Sequence, residues 1–131
     1  METLTQSAVK TVLLIDDDSD EHKLFSDALV KYNESITCLT AFNCSQGYDL
    51  AQKKMPDVIF LDMNLPGTHG LACLRKIRKS YALKYVTVYM YSGGIVTDKD
   101  IVIALQEGAK KWIKKPESLE EYDNMFATNL N

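Results

Sequence analysis

An α/β fold, with a mostly parallel sheet covered by helices on both faces, is what this sequence predicts. Three observations carry that expectation. Short apolar runs alternate with amphipathic stretches five times, and such alternation implies parallel strands joined by right-handed crossovers. The runs are apolar on both faces, as strands of a covered sheet must be. The 131 residues, 46% hydrophobic and 25% charged, suit one domain spanning 1–131, with its core over about 11–129.

The elements follow in order. Residues 11–15, TVLLI, read as a central strand that stops at Asp16, Asp17 and Asp18. Ser19 and Asp20 are expected to cap a helix carrying Leu24, Phe25, Ala28 and Leu29 at helical spacing. Residues 36–42 form a second strand, and Asn43 or Ser45 starts a helix with Tyr48 and Ala51. Pro56 closes that segment, and residues 57–61 make a third strand ending at Asp62. Asn64, Pro66, Gly67 and Gly70 mark a loop before a helix with Leu71, Leu74 and Ile77 on one side. The β-branched and aromatic run 86–91 is a fourth strand, after which Ser92, Gly93 and Gly94 turn the chain. Thr97 caps a helix through Ile101, Ala104 and Leu105 that Gly108 terminates. Residues 110–114 give a fifth strand, broken by Pro116, and residues 117–129 a last helix through Leu119, Tyr122 and Phe126.

In sheets of this class, sites form beyond the carboxyl ends of the strands. Asp16–Asp18, Asp62, Ser92 and Lys115 all fall just past predicted strand ends, so distant polar groups converge on one edge. Clustered carboxylates repel one another unless a cation joins them. Asp16, Asp17 and Asp62 supply the hard oxygens that suit Mg2+, with Mn2+ as an alternative, and the backbone carbonyl of Asn64 adds a fourth protein ligand. Asp62 is placed to act as a nucleophile toward a phosphoryl donor. Lys115 brings a mobile positive charge, and Ser92 a hydroxyl. Taken singly, each residue reads equally well as a turn residue, a helix-start acid or a surface lysine. Their common position at one sheet edge favours a site.

Several runs, in order and at the same spacing, resemble the receiver domain of the response-regulator family, the CheY-like fold. LLIDDDSDEHKLF is similar to the family's first strand, acidic pair and opening helix; VIFLDMNLPGTHG to its phosphoacceptor strand and loop; VYMYSGG to its hydroxyl position; and GAKKWIKKP to its lysine before proline. The resemblance covers about residues 11–129. It implies a flavodoxin-like, doubly wound sheet in the order 2-1-3-4-5. It makes Asp16 and Asp17 the acidic pair and Asp62 the phosphorylated residue, with Ser92 and Lys115 as the catalytic hydroxyl and lysine. Trp112 falls where the family carries a switching Tyr or Phe. A phosphorylation-controlled switch of a two-component or phosphorelay system is therefore expected. Its donor would be a histidine kinase or histidine phosphotransfer protein. A downstream protein partner would dock on the fourth helix, fifth strand and fifth helix, and a phosphorylation-dependent dimer is another output the family uses. Gly94 offers no side chain to shield the aspartyl phosphate from water, so a short lifetime is expected.

Composition narrows the remaining classes. A net charge of -3 gives little support for nucleic-acid binding. Residues 1–65 hold 11 acidic against 5 basic residues, and residues 66–131 hold 7 against 10. No run is long and apolar enough to cross a membrane, and the amino-terminal segment lacks the apolar stretch of a signal peptide. Cys38, Cys44 and Cys73 read as buried free thiols of a reducing compartment, which makes the cytoplasm the expected location. His22 is expected to face water or cap packing, and His69 to occupy a loop. Arg75, Lys76, Arg78, Lys79 and Lys84 read as a solvated helix face. Tyr89 and Tyr91 share a face, either under a helix or enlarging the partner surface. Two rival functions are a phosphate-independent interaction module of the same fold and a Mg2+-dependent phosphatase. The second wants an acid two residues after the nucleophile, where this chain has Asn64.

Overall fold

The computed structural model describes residues 8–65, 67 and 69–131; Pro66 of the predicted loop and the first seven residues lie outside them. Strands and helices alternate along the chain: β1 (Thr11–Ile15), α1 (Ser19–Tyr32), β2 (Thr37–Ala41), α2 (Cys44–Lys54), β3 (Val58–Asp62), α3 (Gly70–Lys79), β4 (Thr87–Ser92), α4 (Asp98–Gln106), β5 (Lys111–Lys114) and α5 (Leu119–Asn129). All four strand pairings are parallel, in the order β2-β1-β3-β4-β5. The switch in winding direction between β1 and β3 leaves a crevice at their carboxyl ends, where Asp16, Asp17 and Asp62 stand.

Side chains alternate across each strand, and the alternation sorts the core into two chemically different layers. Leu13, Ile15, Ile59, Leu61, Val88 and Met90 meet α2, α3 and α4 in an aliphatic layer. Val12, Leu14, Phe60, Tyr89 and Tyr91 meet α1 and α5 in an aromatic one. Phe25, Phe60 and Phe126 pack edge to face, with Phe25 centred 5.1 Å from each of the other two rings. Such pairs add about 1 kcal/mol beyond area burial. Tyr89 and Tyr91 therefore lie beneath helices rather than on a partner surface, and the Tyr89 hydroxyl donates to the Asn129 carbonyl at 3.0 Å.

Helix starts follow the capping chemistry of their sequences. Asp18 caps α1 by accepting the Asp20 amide, one or two residues before the expected Ser19 and Asp20. Its short side chain, on an extended backbone, satisfies an amide that would otherwise be orphaned. Asn43, Thr97 and Ser118 cap α2, α4 and α5 in the same way. Gly108, at φ +106°, ends α4 as expected. Its carbonyl accepts from Arg78 at 2.7 Å, and Arg78 also holds the Leu83 carbonyl. Arg78 is thus a clasp between two turns and not a solvated charge.

The expectation of three free thiols is corrected. Cys44 at the start of α2 and Cys73 in α3 form a disulfide, their Cα atoms 5.8 Å apart, and Cys38 is the free cysteine. Residues 29 positions apart are brought together because α2 and α3 pack side by side on the aliphatic face, which spacing alone could not show. The thiol argument for a reducing compartment falls with it. Among the described residues, no helix is long and apolar enough to cross a membrane.

Candidate functional site

The site is built where β1 and β3 end. Asp16 follows β1, and the main chain on either side of it is tied down. Its N–H donates to the Ala41 carbonyl at the end of β2 (3.0 Å), and its carbonyl accepts from His22 Nε2 (2.6 Å). The Asp18 amide donates to its Oδ1 (2.9 Å). Asp62 is the last residue of β3, and the following Met63 amide donates to the Tyr91 carbonyl (3.2 Å), extending the β3–β4 pairing past the site. Behind Asp62, Gly70 opens α3 so close to the strand end that a Cβ would lie 2.5 Å from the Asp62 carbonyl oxygen and 2.7 Å from Met63 Cα. Backbone cannot yield that distance, so a glycine is required there.

Carboxylate oxygens of Asp16, Asp17 and Asp62 lie within 4.8 Å of one another. Asp16 is fully buried and Asp62 nearly so, while Asp17 is exposed. Lys115 reaches over from the end of β5 and sets its Nζ 2.7 Å from Asp16 Oδ2 and 3.5 Å from Asp62 Oδ2. Burial pushes the Asp62 carboxyl up to about 6; the Asn64 amide at 3.0 Å and Lys115 oppose this, and Asp16 reinforces it. Burial alone would lower the Lys115 ammonium, but the hydrogen bond and charge of Asp16, with Asp62, hold it above its ordinary value. One lysine thus faces two buried carboxylates, with a third alongside. Lys115 is the one partner of Asp16 Oδ2 among the described residues, at 2.7 Å, and a single ammonium leaves the three carboxylates under-neutralised. A hard divalent cation fits such a set of under-satisfied oxygens.

The other expected residues divide. Ser92 is the final residue of β4 rather than a turn residue, and is fully buried. Its carbonyl accepts from the Lys115 amide (2.9 Å), and its Oγ accepts from the Gly94 amide (3.3 Å). It stands at the same sheet edge without bonding to Asp62. Asn64 donates its amide to Asp62 Oδ1 and is an exposed residue. Trp112 lies half-buried against the aliphatic layer, its indole Nε1 buried with no acceptor among the described residues. Lys114 turns outward and meets Glu117 at 3.5 Å.

Three contributors were not singled out from sequence. His22 is buried against Asp16 and stacks on Phe42, with ring centroids 4.3 Å apart. Glu21 is buried in the aromatic layer, where its Oε2 accepts from both the Tyr91 and Tyr122 hydroxyls at 2.7 Å. Burial raises its carboxyl above the ordinary value, and the two hydroxyls oppose that rise. Asp57 pins the start of β1 by accepting the Lys10 and Thr11 amides at 2.8 and 2.9 Å. A signal existed for Glu21: it sits four residues before Phe25, on the apolar stripe of α1.

The response regulator receiver domain family matches residues 12–127. The chain is 35% identical over 116 residues to the nitrate/nitrite response regulator protein NarL of Escherichia coli (strain K12). That match covers 83% of this chain and 50% of the relative, so the chain spans about half the length of the curated relatives it matches. Among solved structures, the chemotaxis response regulator CheY4 of Vibrio cholerae superposes with a TM-score of 0.80 at 22% identity, covering 92% of this chain and 98% of that one. The Mn2+-bound form of response regulator Rcp1 superposes at 0.75 with 20% identity, covering 88% of each. The buried carboxylate at the end of β3, the acid pair after β1, the lysine after β5 and the match over nearly the whole length lead to one assignment: this chain belongs to the response-regulator receiver domain family.

Proposed function

We propose that the chain is a phosphorylation-controlled signalling switch that accepts a phosphoryl group on Asp62 from a phosphohistidine donor. The observation that carries this reading is the placement of a single buried Asp62 between two further carboxylates and the Lys115 ammonium. Asp16, Asp17 and Asp62, with the Asn64 carbonyl, would hold Mg2+, or Mn2+, the ion bound to the similar response regulator Rcp1. When bound, the cation neutralises charge on the phosphoryl oxygens and the carboxylates.

The chain's own groups account for the rest. An Asp62 carboxylate oxygen attacks phosphorus, the P–N bond to the donor imidazole breaks with its electron pair staying on that nitrogen, and the ring leaves as neutral imidazole with its proton on the other nitrogen. Lys115, already within reach of Asp62, pairs with the new phosphoryl oxygens as a point charge. The Ser92 hydroxyl exchanges its bond from the Gly94 amide for a phosphoryl oxygen. Its movement frees space on the aliphatic side, which the Trp112 ring can fill. In the separate hydrolysis that resets the switch, water attacks phosphorus, the P–O bond to Asp62 breaks, the carboxylate is regenerated and inorganic phosphate leaves. The chain acts on itself and turns over no metabolite.

Two surfaces support the partner part of this reading. A groove lined by Leu24, Ala28, Pro116, Leu119 and Tyr122 runs between α1 and the start of α5, next to Lys115, and suits a docking donor. On α4 and the loop before it, Ile95, Val102 and Leu105 are exposed, which suits a downstream partner reading the α4–β5–α5 side. A cytoplasmic setting belongs to the same proposal, since the donor kinases of such switches present their phosphohistidine there.

Intact mass measured with Mg2+ and acetyl phosphate, beside Asp62→Asn, tests the reading. One added phosphoryl group on the native chain, labile to hydroxylamine and absent from the variant, is expected. No added mass at short times, together with no binding of beryllofluoride, would leave the phosphate-independent interaction module as the better description.

A further inference from the structure

The geometry points to His22 as a positioning residue for the divalent-cation site, holding the peptide unit that joins Asp16 to Asp17. This rests on the metal part of the function proposed above.

A carbonyl oxygen can only accept, so the 2.6 Å contact between His22 Nε2 and the Asp16 carbonyl requires the hydrogen to sit on Nε2. The ring is held there by its stack on Phe42, 28° from parallel, and by burial of all but 8% of the residue. Phe42 directly follows Ala41, whose carbonyl takes the Asp16 amide. The end of β2 therefore brackets Asp16 on both sides, its amide directly and its carbonyl through the Phe42–His22 stack. The two flanking peptide planes are then fixed. For Asp16 itself this is one restraint among several, because Oδ1 and Oδ2 are also engaged. Asp17 is different. It is exposed, it makes no side-chain hydrogen bond to the described residues, and the carboxylates of Asp16 and Asp62 repel it in the absence of a cation. The orientation of the Asp16–Asp17 peptide is what aims Asp17 inward, and His22 is the side chain that sets it. Loss of a group of this kind, one step behind the ligands, typically weakens metal affinity by about 10–100-fold.

Titration of the full chain with Mn2+, following free Mn2+ by electron paramagnetic resonance and competing with Mg2+, tests this without any phosphoryl donor. His22→Phe keeps an aromatic ring on Phe42 but removes the donor. It is expected to weaken Mn2+ binding about tenfold while cooperative unfolding is retained. His22→Gln loses the ring but places an amide N–H near the position of Nε2, and is expected to recover most of that loss. Binding by His22→Phe equal to the native chain, or equal losses in both variants, would overturn the proposal in favour of simple packing. Should His22→Phe not fold, Phe42→Leu removes the stack and keeps the donor; a smaller loss of affinity is expected there, and none would overturn the idea. A native chain that binds no Mn2+ overturns the positioning role together with the metal site. A native chain that binds Mn2+ but gains no phosphoryl mass leaves the His22 result standing and removes only the phosphoryl-acceptor reading.

Discussion

The two faces of the sheet are held in different ways. On the aromatic face, α1 and α5 press Phe25, Tyr122 and Phe126 onto Phe60 and Tyr91, and Glu21 ties α1, β4 and α5 through two hydroxyls. On the aliphatic face the disulfide joins α2 to α3, but α4 has a weaker hold: Ala104 is its one fully buried residue, while Val102 and Leu105 are about half exposed, at 50% and 45%. Ile95, on the loop leading into α4, is fully exposed. Trp112 packs on this second side, and Ser92 ends the strand that leads toward α4. The proposed switch, in which a charge added at Asp62 changes the domain's shape, needs one rigid reference and one element that can shift at low cost. Under that proposal the tighter α1–α5 side suits the first role and the loosely packed α4 the second.

Core truncation should separate the faces most strongly. Phe126→Ala is expected to cost about 3–5 kcal/mol in urea unfolding, whereas Leu105→Ala on α4 should cost less than about 1 kcal/mol. Similar costs for the two would erase the contrast. Reduction of Cys44–Cys73 opens a loop spanning 29 positions and should remove about 3 kcal/mol. Urea midpoints with and without reductant measure this, and coincident curves would mean that the pairing leaves stability untouched.

The site between the faces gives a pH signature. The Asp62 carboxyl is raised from 3.8 to about 6, so the folded state holds its proton more tightly than the unfolded chain. Its contribution favours folding below about pH 4 and is lost as pH rises through about 6. In the absence of divalent cations, Asp62→Asn should therefore stabilise the protein by roughly 3 kcal/mol at about pH 7.5, and the gain should vanish near pH 4. A gap between the two melting curves that ignores pH would show that ionisation of Asp62 is not its cause. The smallest expected effect is spectroscopic. Trp112 emission should shift on saturating phosphorylation, while the Tyr-rich α1–α5 side keeps its hydrogen-exchange protection. Unchanged emission would exclude Trp112 from the switch. The phosphoryl group itself should be short-lived because Gly94 leaves the site open, and a half-life of many hours would contradict that.

Much of the architecture was legible because it depends on periodicity. Apolar runs of about five residues ending in Asp or Ser mark strands and the edge that carries the site, and the caps at Asn43 and Thr97 are written in single residues. Residues named by motif, Asp16, Asp17, Asp62 and Lys115, do converge. The failures share a cause. Cys44 with Cys73, Glu21 with its two tyrosines, and Arg78 with Gly108 are pairings across tens of residues, and no local pattern records which helices lie side by side. His22 eludes the sequence for a related reason. A histidine on an amphipathic helix is ambiguous until the end of β2 supplies both Phe42 and the carbonyl network around Asp16.

Local pattern is enough to set the order of elements, the single sheet edge where the acids gather and the chemistry those acids share, because hydrophobic period and turn residues act over a few positions. It took the packed fold to hold Asp16 on every side, to bring the Asp62 carboxyl to about 6, to join two cysteines, and to clamp one face while leaving the other loose. Those properties come from desolvation and from contacts between elements distant in the chain, and both exist only once the sheet has formed.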